Sequence, residues 1–346
     1  MKLKQKPTLW VYLTHFRTGT ESNGYQIRFG YLASSIFYLG QINDFVLRIK
    51  IITNLAIDEI ENLAAPIHSR LDGSTLEQYV SSDREVTVDG HKYDWLLTWV
   101  HKSLFQKDLE NSESNSGDLF LVLEDDALFT TANLDYFINE LPDLEEIGLI
   151  PSFIRSEWSN ADACWTHEDP IGRFTETARF YPHPKDEKKK LMQLQNPFSA
   201  SIILNRPLAI EYFKSDSAIQ ALACYKHPII YDIGSSACLG LIMENIPEGY
   251  LNRVAVVCNQ VNGFPIPGSV VRHLGDRYAQ DKWHRNIRLY DNEEFEALPV
   301  HRSKADYLKR ILKPDGFRVI QKYMFSRRYL NSFSSKRGNE IKLENQ

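Results

Sequence analysis

Cysteine is scarce in this chain, with four cysteines among 346 residues. They are Cys164, Cys224, Cys238 and Cys258, with no CxxC pair and no histidine at the spacing of a zinc site. This pattern excludes a zinc knuckle and a disulfide framework. Thiols used this way are typical of a reduced protein, so we predict a cytoplasmic location and mostly buried cysteines.

Long hydrophobic runs and glycine-rich phosphate loops are also missing. No stretch of about 18 apolar residues is free of charges and helix breakers, so no transmembrane helix is predicted. Residues 1–7 are basic, but the apolar run after them is too short for a signal peptide and no cleavage site follows. Neither GxGxxG nor GxxxxGKS/T occurs. Dinucleotide-binding dehydrogenases and P-loop ATPases therefore have no support.

The most informative stretch that is present is 118–126, an apolar strand that runs directly into Glu124, Asp125 and Asp126. A strand this apolar is typical of the middle of a parallel sheet, whose carboxyl edge binds ligands. Three adjacent carboxylates repel one another, and Mg²⁺ or Mn²⁺ together with a phosphate ligand would relieve the repulsion. The alternative is a solvated strand end. An arginine or lysine bound to Asp126, with no room for an ion, would argue against the metal interpretation.

Strands and helices alternate over roughly the first 260 residues, which predicts an α/β fold. We expect a mixed, mostly parallel central sheet with helices on both faces. Residues 147–154 are predicted to form a single strand. The stretch 155–191 shows no clear periodicity and is interpreted as a long loop region. The predicted organisation is one catalytic domain over 1–295 and a basic amphipathic tail over 296–346, with a disordered end.

This order of elements, with Leu-Val-Leu-Glu-Asp-Asp-Ala-Leu-Phe at 121–129 and Leu-Asp-Tyr-Phe at 134–137, resembles the GT-A glycosyltransferases. In that Rossmann-like fold a DxD motif, or its EDD variant, ends such a strand. The amino-acid sequence of these two stretches most resembles the corresponding region of N-acetylglucosaminyltransferase I-like enzymes. The resemblance implies transfer of a hexosyl or N-acetylhexosaminyl group from a nucleotide sugar, with UDP favoured, to a glycan or lipid-linked saccharide. It also implies a Mn²⁺ or Mg²⁺ cofactor.

The resemblance assigns roles to individual residues. Asp126 becomes the first metal ligand, Asp125 approaches the donor ribose, and Glu124 lies near the nucleotide. His273 is a second metal ligand, with His284 as the fallback, and Arg272 binds phosphate. Further contacts with the nucleotide are expected from residues at the first two strand ends and on the helix before the acidic strand: Thr14, His15, Arg17, Asn54 and His101.

A catalytic base is predicted at Asp232, because an inverting transferase needs a carboxylate within reach of the acceptor hydroxyl. Asp232 is equally suited to be a helix N-cap. In that case the enzyme is retaining, or the base is one of the acids Glu157, Glu168 and Asp169.

Two other functions stay open. A metal-dependent phosphodiesterase or nucleotidyltransferase acting on a polynucleotide also needs clustered carboxylates, although a second acidic cluster is not evident in the sequence. A non-catalytic binding module is the other alternative.

The tail has a strong charge bias. Residues 301–337 hold eleven basic and two acidic residues, a net charge of +9 in a chain whose net charge is −5. With its interspersed aromatic residues, this segment suits the anionic inner face of a membrane, which would make the protein peripheral there. Packing against the acidic body is an equal alternative. A nucleic-acid-binding segment would have the same composition, but we do not expect nucleic acid as a partner.

Overall fold

The computed structural model describes residues 6–16, 22–68, 73–81, 86–88, 91–111, 117–160, 164–167, 178–194, 197–219, 223, 233–275 and 287–288. Arg17, Asp232, His284, Glu168 and Asp169 lie outside these ranges, as does the predicted tail. Within the described ranges, no helix combines the length and the apolar character needed to cross a bilayer.

The strands are named in chain order. They are β1 (Thr8–His15), β2 (Val46–Thr53), β3 (Thr75–Val80), β4 (Val86–Val88), β5 (His91–Tyr93), β6 (Leu119–Glu124), β7 (Ala127–Leu128), β8 (Ile150–Pro151), β9 (Ile154–Ser159), β10 (Cys164–His167), β11 (Ala178–Pro182), β12 (Lys189–Leu194), β13 (Ser201–Asn205), β14 (Val254–Asn259), β15 (Val270–His273) and β16 (Ile287–Arg288). The α-helices are α1 (Ser22–Leu39), α2 (Ile60–His68), α3 (Val100–Asn111), α4 (Thr131–Glu145), α5 (Arg206–Lys214) and α6 (Ile233–Ala237). Short 3₁₀ helices precede α3 and follow α5, at Asp94–Trp99 and Asp216–Ala218.

A central sheet with the order β13-β6-β1-β2-β3 organises the described part of the chain. Strands β6, β1, β2 and β3 run parallel, and β13 is antiparallel to β6. The middle strands are mostly apolar because both of their faces are largely buried. Helices α3 and α5 pack together on one face, and α1 and α2 pack together on the other. The predicted fold class, a mostly parallel sheet with helices on both faces, is confirmed.

The face under α3 is filled by aromatic rings. Phe105 of α3 stacks on Tyr12 of β1 and on Phe120 of β6, with ring centroids 5.1 and 4.7 Å apart. Phe213 of α5 meets the Phe105 ring edge-on at 4.9 Å. Stacked and edge-on aromatic pairs add stabilisation beyond the area that they bury, so this cluster fixes α3 and α5 on the sheet.

Two further sheets cover the second half of the described residues. One has the order β16-β10-β9-β15-β7, and the other has the order β11-β12-β14-β8. Strand β7 follows the acidic triplet and pairs with β15, with Ala127 opposite His273. This pairing carries β15, and β9 beside it, to the carboxyl edge of the central sheet.

Two predictions from the sequence were wrong in this region. The presumed loop 155–191 contains strands, because β9, β10 and β12 pair with partners that are distant in sequence. The single strand predicted at 147–154 is two strands, because β8 pairs with β14 while β9 pairs with β15. Of the cysteines, Cys238 and Cys258 are buried free thiols, as expected.

Candidate functional site

The acidic triplet lies at the carboxyl edge of the central sheet and is held there by backbone hydrogen bonds. The amide of Asp125 donates to the carbonyl of Thr14 at 3.0 Å, and that of Glu124 donates to the carbonyl of Ala200 at 3.3 Å. On the outgoing side, the amide of Leu274 donates to the carbonyl of Asp126 at 2.7 Å. Both aspartate side chains are buried, whereas Glu124 is partly exposed. The backbone of this acidic turn is therefore fixed at both ends.

Asp125 is bound from β1 and from α1. Its Oδ2 lies 2.6 Å from Nδ1 of His15, and its Oδ1 lies 2.9 Å from Nη2 of Arg28. Ser35, further along α1, donates to the Asp125 carbonyl at 2.9 Å. Burial raises the pKa of Asp125 above its ordinary value, although the His15 hydrogen bond and the Arg28 charge oppose the rise.

One oxygen of Asp126 contacts both a guanidinium and an imidazole. Its Oδ2 lies 2.6 Å from Nη1 of Arg28 and 3.2 Å from Nε2 of His273. Its other oxygen, Oδ1, is buried and has no hydrogen-bond partner among the residues described. Burial acts to raise the pKa of Asp126, but the His273 hydrogen bond and charge, with Arg28 and Arg155, bring the pKa well below its ordinary value. Asp126 is therefore a carboxylate at neutral pH.

His273 is held between two acids. Its Nδ1 contacts Oε1 of Glu157, its Nε2 faces Asp126, and both His273 and Glu157 are buried. The contact forms because β9 and β15 are parallel neighbours, with Ser156 opposite Arg272. An ionised carboxylate only accepts hydrogen bonds, so His273 satisfies both acids when both of its ring nitrogens are protonated.

Glu124 is the acid whose ionisation is closest to neutral pH. Burial and the nearby charge of Asp126 raise its pKa to about 7, while Arg155 and His273 act in the opposite direction. Arg155, on β9, also stacks over the Phe198 ring with its guanidinium carbon 5.3 Å from the ring centroid. The site thus combines Glu124, the two aspartates and Glu157 with the guanidinium groups of Arg28 and Arg155 and the imidazole of His273.

The structure brings several of the predicted site residues together. Glu124, Asp125, Asp126 and His273 form one cluster, and Thr14 binds its backbone. Asn54 is buried directly after β2, at the same edge of the sheet.

Other candidates stand apart from the cluster. Arg272 is exposed, because alternate residues of β15 face opposite sides and His273 takes the buried side. His101 is fully buried in α3 with its Nδ1 2.5 Å from the Thr98 carbonyl. Burial, with a smaller contribution from Lys102, lowers its pKa to about 3, so it is a neutral imidazole. Arg17 and Asp232 stay predictions, since they lie outside the described residues.

Sequence reasoning missed Arg28, whose guanidinium bridges the two aspartates. The available signal was its setting, because it is the only charged residue in the 18 residues of α1. Reasoning from the sequence also gave Glu157 as an alternative base, whereas in the structure it binds the imidazole of His273.

The metal interpretation meets a competing cation here. Arg28 forms an ion pair with Asp126, and an arginine in this position argues against an ion at the same carboxylate. Over the described ranges, no three His, Cys, Asp or Glu side chains are arranged to hold a metal ion by themselves. Two suitable donors do face each other, Asp126 and His273, and one Asp126 oxygen is orphaned. Since Mg²⁺ and Mn²⁺ often take one or two protein ligands plus substrate phosphates, this donor set fits such an ion once Arg28 withdraws.

Comparisons with known proteins add little to this picture. No protein-family model matches the chain, and no curated protein matches it. Similar solved structures include mouse xyloside xylosyltransferase 1 in its apo form, at 13% identity over 68% of this chain and 80% of that one, with a TM-score of 0.36. An active-site mutant of LgtC is 10% identical over 67% of this chain and 69% of that one, with a TM-score of 0.32. The WbbM bifunctional glycosyltransferase is 7% identical over 64% of this chain and 35% of that one, with a TM-score of 0.30.

Proposed function

We propose that this protein is a glycosyltransferase that moves a sugar from a nucleotide diphosphate sugar to a glycan or lipid-linked saccharide. The observation that carries the proposal is the meeting of acids, arginines and a histidine at the carboxyl edge of the parallel strands. That edge is where open α/β sheets bind their ligands. The transferred group is proposed to be a hexosyl or N-acetylhexosaminyl group, and the donor nucleotide UDP.

Charges of both signs support a diphosphate substrate. Arg28 and Arg155 offer planar guanidinium groups, which suit phosphate oxygens. The ends of β1 and β2 are adjacent, since His15 is opposite Thr53. This places Thr14 and Asn54 along one side of the edge, where the nucleotide is proposed to bind. Arg17 remains a proposed donor contact, and Asp232 remains the proposed base.

The metal is part of this proposal. A divalent cation would supply positive charge to the two phosphates of the leaving nucleotide as negative charge develops on them. Asp126, through its orphaned oxygen, and His273, through Nε2, are the residues that would hold it. Glu157 would fix the orientation of the imidazole, as second-shell carboxylates commonly do.

A non-catalytic binding module is the second candidate, and one specific observation favours it. Arg28 already forms ion pairs with both Asp125 and Asp126, without any metal ion. If the protein is such a binding module, the acidic triplet has a structural role, which is to hold α1 against the end of β6. The polynucleotide alternative receives no such support from the described part of the chain.

Donor hydrolysis separates the two candidates. With Mn²⁺ and a panel of UDP-, GDP- and CMP-sugars, we expect one donor to raise the melting temperature and to be hydrolysed slowly. Asp126→Asn is expected to lower that hydrolysis by about 100-fold or more, the effect of losing one group that stabilises transition-state charge. Asp135→Asn makes the same change at an exposed position of α4 and should leave the rate unchanged. If no donor is stabilising or hydrolysed, the binding module is the better description.

The tail is proposed to bind the anionic surface of a membrane. Replacing Lys309, Arg310 and Lys313 together by glutamine should reduce flotation of the full chain with phosphatidylserine liposomes, because each basic residue near such a surface contributes about 1 kcal/mol. Phosphatidylcholine liposomes are the control and should bind neither form. Equal flotation of both forms would leave packing of the tail on the acidic body as the better explanation.

A further inference from the structure

The acidic cluster contains its own cation. Arg28 places Nη1 2.6 Å from Asp126 and Nη2 2.9 Å from Asp125, and neither aspartate side chain is more than 3% exposed. The planar guanidinium can bridge two carboxylates in this manner, which the compact ammonium of a lysine does poorly. Two buried carboxylates side by side need such a partner, since a buried charge without one is strongly destabilising.

Arg28 nevertheless leaves the cluster incomplete. Oδ1 of Asp126 is buried and accepts no hydrogen bond from any described residue. A buried acceptor without a hydrogen-bond partner lowers the stability of the folded protein. A further ligand that binds this oxygen would remove that penalty. Nε2 of His273 lies 3.2 Å from the other oxygen of the same carboxylate. Two possible metal ligands are therefore present at this carboxylate. They are Oδ1 of Asp126 itself and Nε2 of His273, which lies beside Oδ2.

Arg28 is also placed so that its guanidinium can leave without a shift of α1. Ser35 fixes the helix to the acidic turn, with its hydroxyl 2.9 Å from the Asp125 carbonyl and 3.4 Å from the Ala127 carbonyl. The Arg28 side chain is 26% exposed, so one side of it faces solvent. Rotamer changes of partly exposed side chains are fast and need no movement of the backbone.

We infer that Arg28 is the resident counter-ion of this site and that Arg28 and a divalent cation exclude each other at Asp126. The inference rests on the metal-binding part of the proposed function. An ion bound to the Asp126 carboxylate would lie close to the guanidinium of Arg28, which contacts the same carboxylate. Two positive charges held by one buried carboxylate repel each other strongly. Entry of the ion therefore releases Arg28, and the released guanidinium faces solvent, where phosphate oxygens of a donor can bind it.

The affinity for Mn²⁺ alone, measured by electron paramagnetic resonance of the free ion, tests this inference. Arg28→Gln is expected to bind Mn²⁺ about tenfold or more tightly than the wild type, because the ion no longer competes with a charge-assisted pair. Adding Asp126→Asn to Arg28→Gln should abolish the gain. Arg253→Gln is the matched control, since Arg253 forms an ion pair with Glu211 outside this site and should leave Mn²⁺ affinity unchanged.

A second measurement keeps the test independent of whether Arg28→Gln folds. In the wild type, saturating Mn²⁺ should speed modification of Arg28 by phenylglyoxal about tenfold, read by peptide mass spectrometry, because the bound ion raises the fraction of molecules in which Arg28 is released. The rate at Arg253 should not change. Equal Mn²⁺ affinity of folded wild type and Arg28→Gln, absence of Mn²⁺ binding by both, or an unchanged modification rate at Arg28 overturns the inference.

The outcomes also separate this inference from sugar transfer. Tighter Mn²⁺ binding by Arg28→Gln without hydrolysis of any donor sustains the role of Arg28 and contradicts the proposed activity. Donor hydrolysis with equal Mn²⁺ affinities contradicts the role of Arg28 alone.

Discussion

Replacing Lys50 by methionine is expected to lower the free energy of unfolding by about 3 to 5 kcal/mol. Lys50, on β2, lies 2.6 Å from Oδ1 of Asp108 on α3, and the two side chains are 11% and 10% exposed. Tyr12 donates to the other oxygen of Asp108 at 2.9 Å. Among the described residues, the buried carboxylate without Lys50 keeps only this neutral partner, and its charge is left uncompensated. Urea denaturation followed by circular dichroism measures the change.

Two controls separate burial from charge in this prediction. Lys185→Met removes an exposed pair with Glu146, whose side chains are 49% and 58% exposed, and should leave the denaturation midpoint nearly unchanged. Lys50→Met combined with Asp108→Leu removes both buried charges and should recover most of the lost stability. If Lys50→Met is as stable as Lys185→Met, the pair does not hold α3 on the sheet.

Gly268→Ala is expected to destabilise the protein by about 2 to 5 kcal/mol, from backbone strain together with overpacking. Gly268 has a φ of +90°, and a Cβ there would overlap the Ala132 carbonyl oxygen and lie 2.8 Å from Cβ of Tyr136. The surroundings are rigid, because the side-chain amide of Asn133 donates to the carbonyls of Gly268 and Val270, both at 2.7 Å. The same hydrogen bonds fix the start of β15, which ends at His273. We therefore expect the substitution to displace His273 as well.

Gly249→Ala is the matched control for this substitution. Gly249 has nearly the same φ, +88°, but a Cβ there would meet no atom within 4 Å. Gly249→Ala therefore measures the effect of backbone strain alone. The difference between the melting temperatures of Gly268→Ala and Gly249→Ala measures the effect of the steric overlap. Similar melting temperatures for the two variants would show that α4 and β15 can separate enough to admit a methyl group.

The strands that build the site could be predicted where they carry their own signal. β6 is a nearly continuous apolar run, and β1 and β2 are mostly apolar, because strands buried on both faces favour apolar residues. β9, β10 and β12 carry no such signal. They are short. Although β9 pairs with β10 and β11 with β12 as sequence neighbours, β9, β10 and β12 also pair with strands far away in sequence, which one sequence does not reveal.

The candidate site divides in the same way. The acidic triplet is visible in the sequence because it follows a strand directly. The contact of Glu157 with His273 joins residues 116 positions apart, and it exists only because β9 and β15 are neighbours. Arg28 reaches the acids across 98 positions from the middle of a helix. Neither contact has a local pattern, so the charge balance of the cluster could not be read from the chain.

The hydrogen bonds on either side of the acidic turn have a kinetic consequence. The turn is tied to β1 and β13 where it leaves β6, and to β15 where it continues. Among the described residues, a rearrangement at this turn is therefore expected to come from rotation of single side chains such as Arg28, and not from movement of the turn itself.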